Sequence, residues 1–312
     1  MLRLSDLDLK LPTTDDFRCP DVAAMTFCAM THLCVQISRI EQLGALSQEA
    51  TPTEISSFVN ALQEWIEKLP PELRLFDAQG QRLPWSRLAA ELHIFYFVSI
   101  IVMYLLPGPH RHAVKFCISS IIASSCAARL YEEILHREEV LCLLSIHGWA
   151  NLVSAVPQFY CGIKFPHYSA VCAEELSINR AVLTQMRDRY PSADVVLRKI
   201  DSLPRTDTIP NPRSSAAESS SRARYSQVEG LEDFGNAQLP DVAALFPFPD
   251  SLSPKMGLLP PQTSSEGFDA SADVGSPTMQ FDLDSLSWPL DMSAFSLANL
   301  ESLFPSEPGF QI

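Results

Sequence analysis

Glycine is scarce in the first two thirds of this 312-residue chain. Only five glycines precede residue 204, and they stand far apart: Gly44, Gly80, Gly108, Gly148 and Gly162. A loop that cradles phosphate groups needs several glycines within a short stretch, so the usual nucleotide-binding loops are excluded. The nucleophile elbow G-x-S-x-G and the zinc motif H-E-x-x-H are also missing. The sequence therefore predicts that the protein is not an enzyme.

Closely spaced cysteines are missing as well. All eight cysteines lie at or before Cys172, and none of them forms a C-x-x-C pair. Structural zinc sites usually depend on that close spacing, and scattered cysteines are not typical of a small disulfide-bonded scaffold. We therefore expect reduced thiols and no cofactor held by these 312 residues. Cys117 and Cys126 lie in an apolar helical stretch, where cysteine packs as a small hydrophobic residue.

Positive charge is in deficit, because 23 basic residues face 37 acidic ones and the formal net charge is -14. Residues 1–203 contain 18 basic and 22 acidic residues, whereas residues 226–312 contain one basic and 13 acidic residues. Non-specific affinity for DNA comes mainly from neutralising phosphates. Direct DNA binding by this chain is therefore not expected.

The composition changes near Leu203. Residues 204–312 contain 13 of the 24 prolines and 18 serines. Proline interrupts long helices, and a chain rich in serine, proline and acids buries too little apolar surface to offset its ordering entropy. We therefore predict a folded domain over residues 1–203. A disordered acidic tail over residues 204–312 would follow, with a Ser/Pro-rich linker and an acidic-hydrophobic region.

Apolar residues at helical spacing predict that the first domain is all-α, a bundle in which helices pack on helices. Thr51 and Glu54 flank Pro52 as a capping box with proline at the first helical position. A kink is expected at Pro157. The predicted helices cover residues 22–44, 52–69, 86–106, 113–136, 140–161, 168–190 and 192–203.

The most apolar stretch runs from Leu92 to Leu106, between Glu91 and Pro107. A transmembrane helix needs about 20 apolar residues, and this stretch is shorter and contains His93. We therefore predict a buried core helix, with a membrane-associated protein as the alternative.

Titratable residues form no recognisable catalytic set in the sequence. His147 has no visible acidic partner, so we predict a satisfied, partly buried histidine. The glutamate pairs at 132–133 and 138–139 are flanked by Arg129 and Arg137. A solvated helix face is therefore favoured over a pair of catalytic carboxylates.

Residues 281–304, FDLDSLSWPLDMSAFSLANLESLF, alternate acids with large apolar side chains. This composition is typical of an acidic-hydrophobic activation region. Acidic neighbours repel one another and keep the apolar groups solvated, so those groups stay free to enter a partner's groove. A shorter copy, LPDVAALFPFPD, lies at residues 239–250. The alternative to a free activation region is a C-terminal helix that docks on its own domain. The residues predicted to bind a coactivator are Phe281, Leu286, Trp288, Leu290, Phe295, Leu297, Leu300, Leu303 and Phe304.

Several motifs occur in an order that resembles a known family. RLSDLDLKLP at residues 3–12, followed by the Asp15-Asp16-Phe17 triplet, is similar to the end of the middle region of fungal binuclear zinc-cluster transcription factors. The W-x-x-x-L-P-x-x-L element at 65–73 and the L-x-x-x-Y element at 92–96 also resemble that family, as does a helix that begins at Cys117. Residues 128–140 and 146–157 are most similar to its cutinase-regulator branch. The resemblance covers about residues 1–200.

The resemblance implies an α-helical regulatory domain in a nuclear transcription activator that controls catabolic or secondary-metabolite genes. It implies that the tail binds a coactivator or mediator subunit, that the chain forms homo- or heterodimers, and that no membrane is involved. The family's six-cysteine cluster, which holds two zinc ions, does not occur in these 312 residues. Zinc is expected only together with such a cluster. DNA contact would require that cluster or a partner protein.

The residues that follow Met1 resemble the middle of the family's domain and not its beginning. Either the sequence is truncated, or the protein works without its own DNA-binding module. The alternative function is a helical small-molecule-binding protein or enzyme with a disordered C-terminal extension.

Overall fold

The computed structural model describes residues 10–45, 51–104, 118–165, 168–201, 242–249 and 252. Seven α-helices and no strand occur in these ranges, so the predicted all-α fold is confirmed. One isolated antiparallel bridge, between Phe76 and Arg82, closes the loop that follows α2. The helices are α1 (Val22–Ala45), α2 (Pro52–Glu67), α3 (Arg87–Tyr104), α4 (Ile118–His136), α5 (Ile146–Lys164), α6 (Ser169–Met186) and α7 (Pro191–Asp201).

Local sequence signals explain how α2 begins. The Thr51 hydroxyl accepts a hydrogen bond from the Glu54 N–H at 3.3 Å, and the Glu54 carboxylate accepts one from the Thr51 N–H at 2.8 Å. Pro52 occupies the first turn, where no intrahelical N–H partner is needed. The predicted capping box is therefore present.

The fifth helix differs from its prediction. It begins at Ile146, six residues later than expected, and it continues through Pro157 to Lys164. The chain reverses after α4 through Glu138, whose φ of 59° is in the left-handed region. Residues Val140–Cys142 then form a single 3-10 turn. The reversal and the 3-10 turn therefore contain the residues whose apolar spacing predicts the first turn of α5.

Helix α3 lies at the centre of the domain, packed against α1, α4 and α5. Fourteen of its residues are buried. Among the described residues it is the one helix with the length and hydropathy to cross a membrane, and 78% of it is buried inside the domain. It is therefore a core helix in this fold, as its length and polar residues predict. Helix α6 packs on α4, α5 and α7 and completes the bundle.

A short segment from beyond residue 203 also belongs to this core. Val242–Leu245 forms a 3-10 turn, and the chain then runs extended to Pro249. Four of its large apolar side chains are buried in the main cluster: Leu245, Phe246, Phe248 and Leu252. This differs from the expectation that residues 204–312 lie outside the folded domain. The physical reason is that these bulky groups find an apolar surface on the chain's own helices.

Candidate functional site

The residues predicted to bind a coactivator all lie outside the described part of the chain, and so does the segment that contains them. They are Phe281, Leu286, Trp288, Leu290, Phe295, Leu297, Leu300, Leu303 and Phe304. The shorter copy of the same pattern is largely described, and its binding surface is the best-defined candidate site.

The surface that holds this segment includes five side chains, which we call the aromatic groove, and the 3-10 turn of the segment also packs on α2. Three of them come from α3 at positions i, i+3 and i+4, a spacing that places them on one helix face. The loop after α2 supplies a ring, and α4 supplies a thiol. The groove residues are Phe76, His93, Tyr96, Phe97 and Cys126.

Two hydrogen bonds fix the backbone of the segment in the groove. The Tyr96 hydroxyl donates to the Leu245 carbonyl at 2.9 Å, and the Cys126 thiol donates to the Leu252 carbonyl at 3.3 Å. Burial raises the pKa of Tyr96 and that of Cys126 well above their ordinary values. Both groups therefore keep their protons at neutral pH and remain donors.

Ring contacts fix the two phenylalanines. Phe246 stacks on Phe97 with ring centroids 6.4 Å apart and planes only 8° from parallel. Phe248 meets Phe97 edge-on at 5.4 Å and His93 edge-on at 5.8 Å, and it tilts against Phe76 at 6.5 Å. Offset-stacked and edge-to-face pairs add to the energy of apolar burial alone. Phe97 contacts both rings and is the centre of the groove.

Tight turns give the segment its shape. The Phe248 N–H donates to the Phe246 carbonyl at 2.7 Å, and the Leu252 N–H donates to the Pro249 carbonyl at 3.0 Å. Pro247 lies between the two phenylalanines and is exposed. Proline fixes φ and has no N–H to satisfy, so it suits an exposed position between two buried rings.

An open cleft of about 580 Å³ adjoins Phe248. Its lining includes His93, Arg74 and Asp77. Arg74 is engaged with backbone, because its Nε donates to the Leu69 carbonyl at 2.8 Å. Burial lowers the pKa of His93 from 6.5 to about 4, so its imidazole is neutral at pH 7. The cleft therefore has a mixed lining, one wall of which is the docked segment.

A second polar cluster lies on the other side of α3, around His147. Its Nε2 is 3.4 Å from the Glu91 carboxylate, and its Nδ1 is 3.2 Å from the Tyr131 hydroxyl. Arg87 also pairs with Glu91. His147 and Tyr131 are at most 1% exposed, so both are closed off from solvent in this structure. The arrangement satisfies the histidine, as predicted, but His147 is fully buried where partial burial was expected. The acidic partner that the sequence did not reveal is Glu91.

Three of the four glutamates are engaged in structural contacts. Glu132 pairs with Arg129 at 2.9 Å, and Glu133 pairs with Arg82 at 2.6 Å. Glu139 accepts a hydrogen bond from the Trp85 indole at 2.9 Å. Glu132 and Glu133 lie on α4, as the predicted helix face requires, whereas Glu138 and Glu139 lie in the reversal after α4 ends, so the helix face predicted for that pair is wrong.

Within the described ranges, no three His, Cys, Asp or Glu side chains are arranged to hold a metal ion. No family model, curated protein or solved structure is significantly similar to this chain. The class that the fold and the site define is therefore limited to an all-α domain that binds a segment of its own chain.

Proposed function

We propose that this protein is a nuclear transcription activator of the fungal zinc-cluster class, in which the helical bundle is the regulatory domain. The region around 281–304 recruits a coactivator or mediator subunit. DNA is reached through a partner protein or through a zinc cluster, which these 312 residues do not contain. The target genes would be catabolic or secondary-metabolite genes.

The observation that carries the proposal is the alternation of acids with Phe, Trp and Leu over residues 281–304. The shorter copy of that pattern supports it on physical grounds. Phe246 and Phe248 are 2% and 8% exposed in an aromatic groove, which illustrates how acid-flanked aromatic residues dock through their rings. A coactivator groove would engage the longer copy by the same kind of contact.

A reporter assay tests this proposal. The full chain is fused to an unrelated DNA-binding domain, and transcription from its binding site is measured. We expect activation, and we expect it to fall at least tenfold when Phe281, Trp288, Phe295 and Phe304 become alanine. That loss of apolar contact corresponds to more than about 1.4 kcal/mol of binding free energy.

The matched control for the reporter assay is the chain with Phe234→Ala and Phe268→Ala, which removes two tail phenylalanines that lie outside residues 239–250 and 281–304. It should retain activation. An inactive fusion, or equal activity in the wild-type chain and the fourfold variant, would contradict the proposal.

The second candidate function is small-molecule binding, and the cleft beside Phe248 favours it. Its volume of about 580 Å³ is within the 300–1,000 Å³ that is typical of ligand sites. Ligand-observed NMR with a metabolite mixture tests this function. A metabolite signal that broadens in the presence of the wild-type chain, but stays sharp in the presence of the Phe248→Ala chain, would support small-molecule binding at this cleft. It would favour this function over transcription activation if the reporter assay is negative.

A further inference from the structure

We propose that the aromatic groove is a peptide-binding site for the pattern Leu-Phe-Pro, and that this chain carries two ligands for it. Residues 242–249 occupy the groove, and residues 300–305 are the exchange ligand that takes their place. The proposal concerns binding alone and does not depend on whether the protein regulates transcription.

The same short pattern occurs twice in the sequence. Residues 242–247 read Val-Ala-Ala-Leu-Phe-Pro, and residues 300–305 read Leu-Glu-Ser-Leu-Phe-Pro. In both copies an apolar residue precedes the leucine by three positions, and acidic residues stand close by. Leu303 and Phe304 thus correspond to Leu245 and Phe246.

The contacts made by the first copy are ones that the second copy can repeat. The Tyr96 hydroxyl bonds to the carbonyl of Leu245, and every residue has such a carbonyl. The Phe97 ring stacks on the ring of Phe246, which Phe304 would replace. The first copy is therefore held by one backbone bond, which any residue can accept, and by one ring contact, which requires an aromatic residue. The second copy supplies both.

The way the first copy is held makes exchange feasible. It pairs with no strand, and its contacts are a few buried side chains and two hydrogen bonds from Tyr96 and Cys126. In the sequence, forty residues, 202–241, separate it from the end of α7. A tether of that length makes the segment a ligand at an effective concentration of about 1 mM. Leaving the groove is then a local opening that does not unfold the helices.

One sequence difference predicts which of the two segments binds the groove more tightly. Phe248 follows Pro247 in the first copy and touches Phe97, His93 and Phe76, whereas Ser306 stands at that position in the second copy. The second copy lacks those three ring contacts. We therefore expect it to bind more weakly, so that it takes the groove when the first copy is damaged.

Four full-length chains test the exchange: the wild type, the first-copy variant Phe246→Ala/Phe248→Ala, the second-copy variant Leu303→Ala/Phe304→Ala, and the chain with all four changes. The probe is a fluorescein-labelled synthetic peptide of residues 239–252, and the measurement is its fluorescence anisotropy. A peptide with alanine at both phenylalanine positions is the negative control.

The chain with all four changes should bind the probe most tightly, because neither internal ligand competes. The first-copy variant should bind about tenfold more weakly, because its second copy competes at millimolar effective concentration. The wild type and the second-copy variant should bind at least a hundredfold more weakly than the fourfold variant. The chain with Phe281→Ala/Trp288→Ala, which loses two tail aromatic residues outside the motif, should behave like the wild type.

Equal affinity of the first-copy and fourfold variants would overturn the exchange, since it would mean that the second copy does not compete. Absence of binding to both variants, with helical circular dichroism intact, would overturn the peptide site itself. Binding to the wild type as tight as to the fourfold variant would place the probe elsewhere and would also overturn it.

A gain-of-contact variant keeps the test valid if the first-copy variant fails to fold. Ser306→Phe gives the second copy the ring that it lacks, in a chain whose domain is unchanged. Amide hydrogen exchange, followed by mass spectrometry, should then be several-fold faster in residues 242–252. Ser306→Ala should leave that exchange unchanged. Equal exchange in the Ser306→Phe chain and the wild type would reject the proposal.

Discussion

Replacing Phe246 and Phe248 by alanine, in the segment of residues 242–252 that docks in the groove, should lower the free energy of unfolding of the domain by a limited amount. Phe246 and Phe248 are 2% and 8% exposed, and replacing a phenylalanine in a rigid core by alanine costs about 3–5 kcal/mol. Two independent truncations would therefore cost about 6–10 kcal/mol. A tethered segment can instead leave its groove, so the total loss cannot exceed the free energy of docking.

The docking free energy is small, because two large terms oppose each other. Burial of Leu245, Phe246, Phe248 and Leu252 stabilises the docked state by about 1.5–3 kcal/mol per side chain, or about 6–12 kcal/mol together. Fixing the backbone costs about 1–2 kcal/mol per residue. Summed over the segment, this cost is similar in size to the stabilisation by burial. We therefore expect either single change to alanine to remove most of the docking free energy from the stability of the domain. The second change should then lower the free energy of unfolding by less than about 1 kcal/mol more.

Urea unfolding followed by far-UV circular dichroism measures these losses for the two single variants and the double variant. The matched pair is Leu33→Ala and Leu183→Ala, in α1 and α6, both fully buried and unable to leave the core. Their costs should add. A double loss in the segment equal to the sum of the single losses would refute the reasoning, because it would mean that the segment is an inseparable part of the core.

Two further predictions concern buried polar groups. Burial lowers the pKa of His93 from 6.5 to about 4, so protonation favours the unfolded chain. The stabilisation is present above pH 6.5 and is lost towards pH 4, about 3 kcal/mol in all. In His93→Gln the urea midpoint should fall less between pH 7 and pH 4.5 than in the wild type; an equal fall in both would contradict this. Glu91→Ala should cost about 1–3 kcal/mol, because it leaves the Nε2 of the buried His147 without the carboxylate that lies 3.4 Å away. The exposed control Glu64→Ala should leave the midpoint unchanged, and similar losses in both variants would contradict the assigned role of Glu91.

The helices were predictable because their signals are local. Apolar spacing of three and four residues fixes which face of each segment is buried, and Thr51 and Glu54 carry the start of α2 in their side chains. The start of α5 was misplaced because the reversal at Glu138 depends on how α4 ends. There the Glu139 N–H bonds back to the Ile134 carbonyl. The apolar spacing after Glu138 fits a helix and a 3-10 turn equally well.

The aromatic groove could not be assigned from the sequence. His93, Tyr96 and Phe97 have the spacing of one helix face, but fourteen of the eighteen residues of α3 are buried, so burial does not distinguish these three from the rest of the helix. Their partner, Leu245, is 149 residues away from Tyr96 in the chain. The same separation hid the partner of His147, since Glu91 lies on a different helix.

The sequence by itself determined the all-α class, the approximate positions of the helices apart from the start of α5, and the buried nature of α3, because periodicity, capping and length act within a few residues. It also marked residues 239–250 as a bulky apolar segment flanked by acids. Only the tertiary structure decided that Phe246 and Phe248 lie against Phe97 in their own domain. The apolar character of an aromatic side chain favours its burial and can be seen in the sequence. The surface that buries it is formed by α3, α4 and the loop after α2. That surface exists only once those elements have packed together.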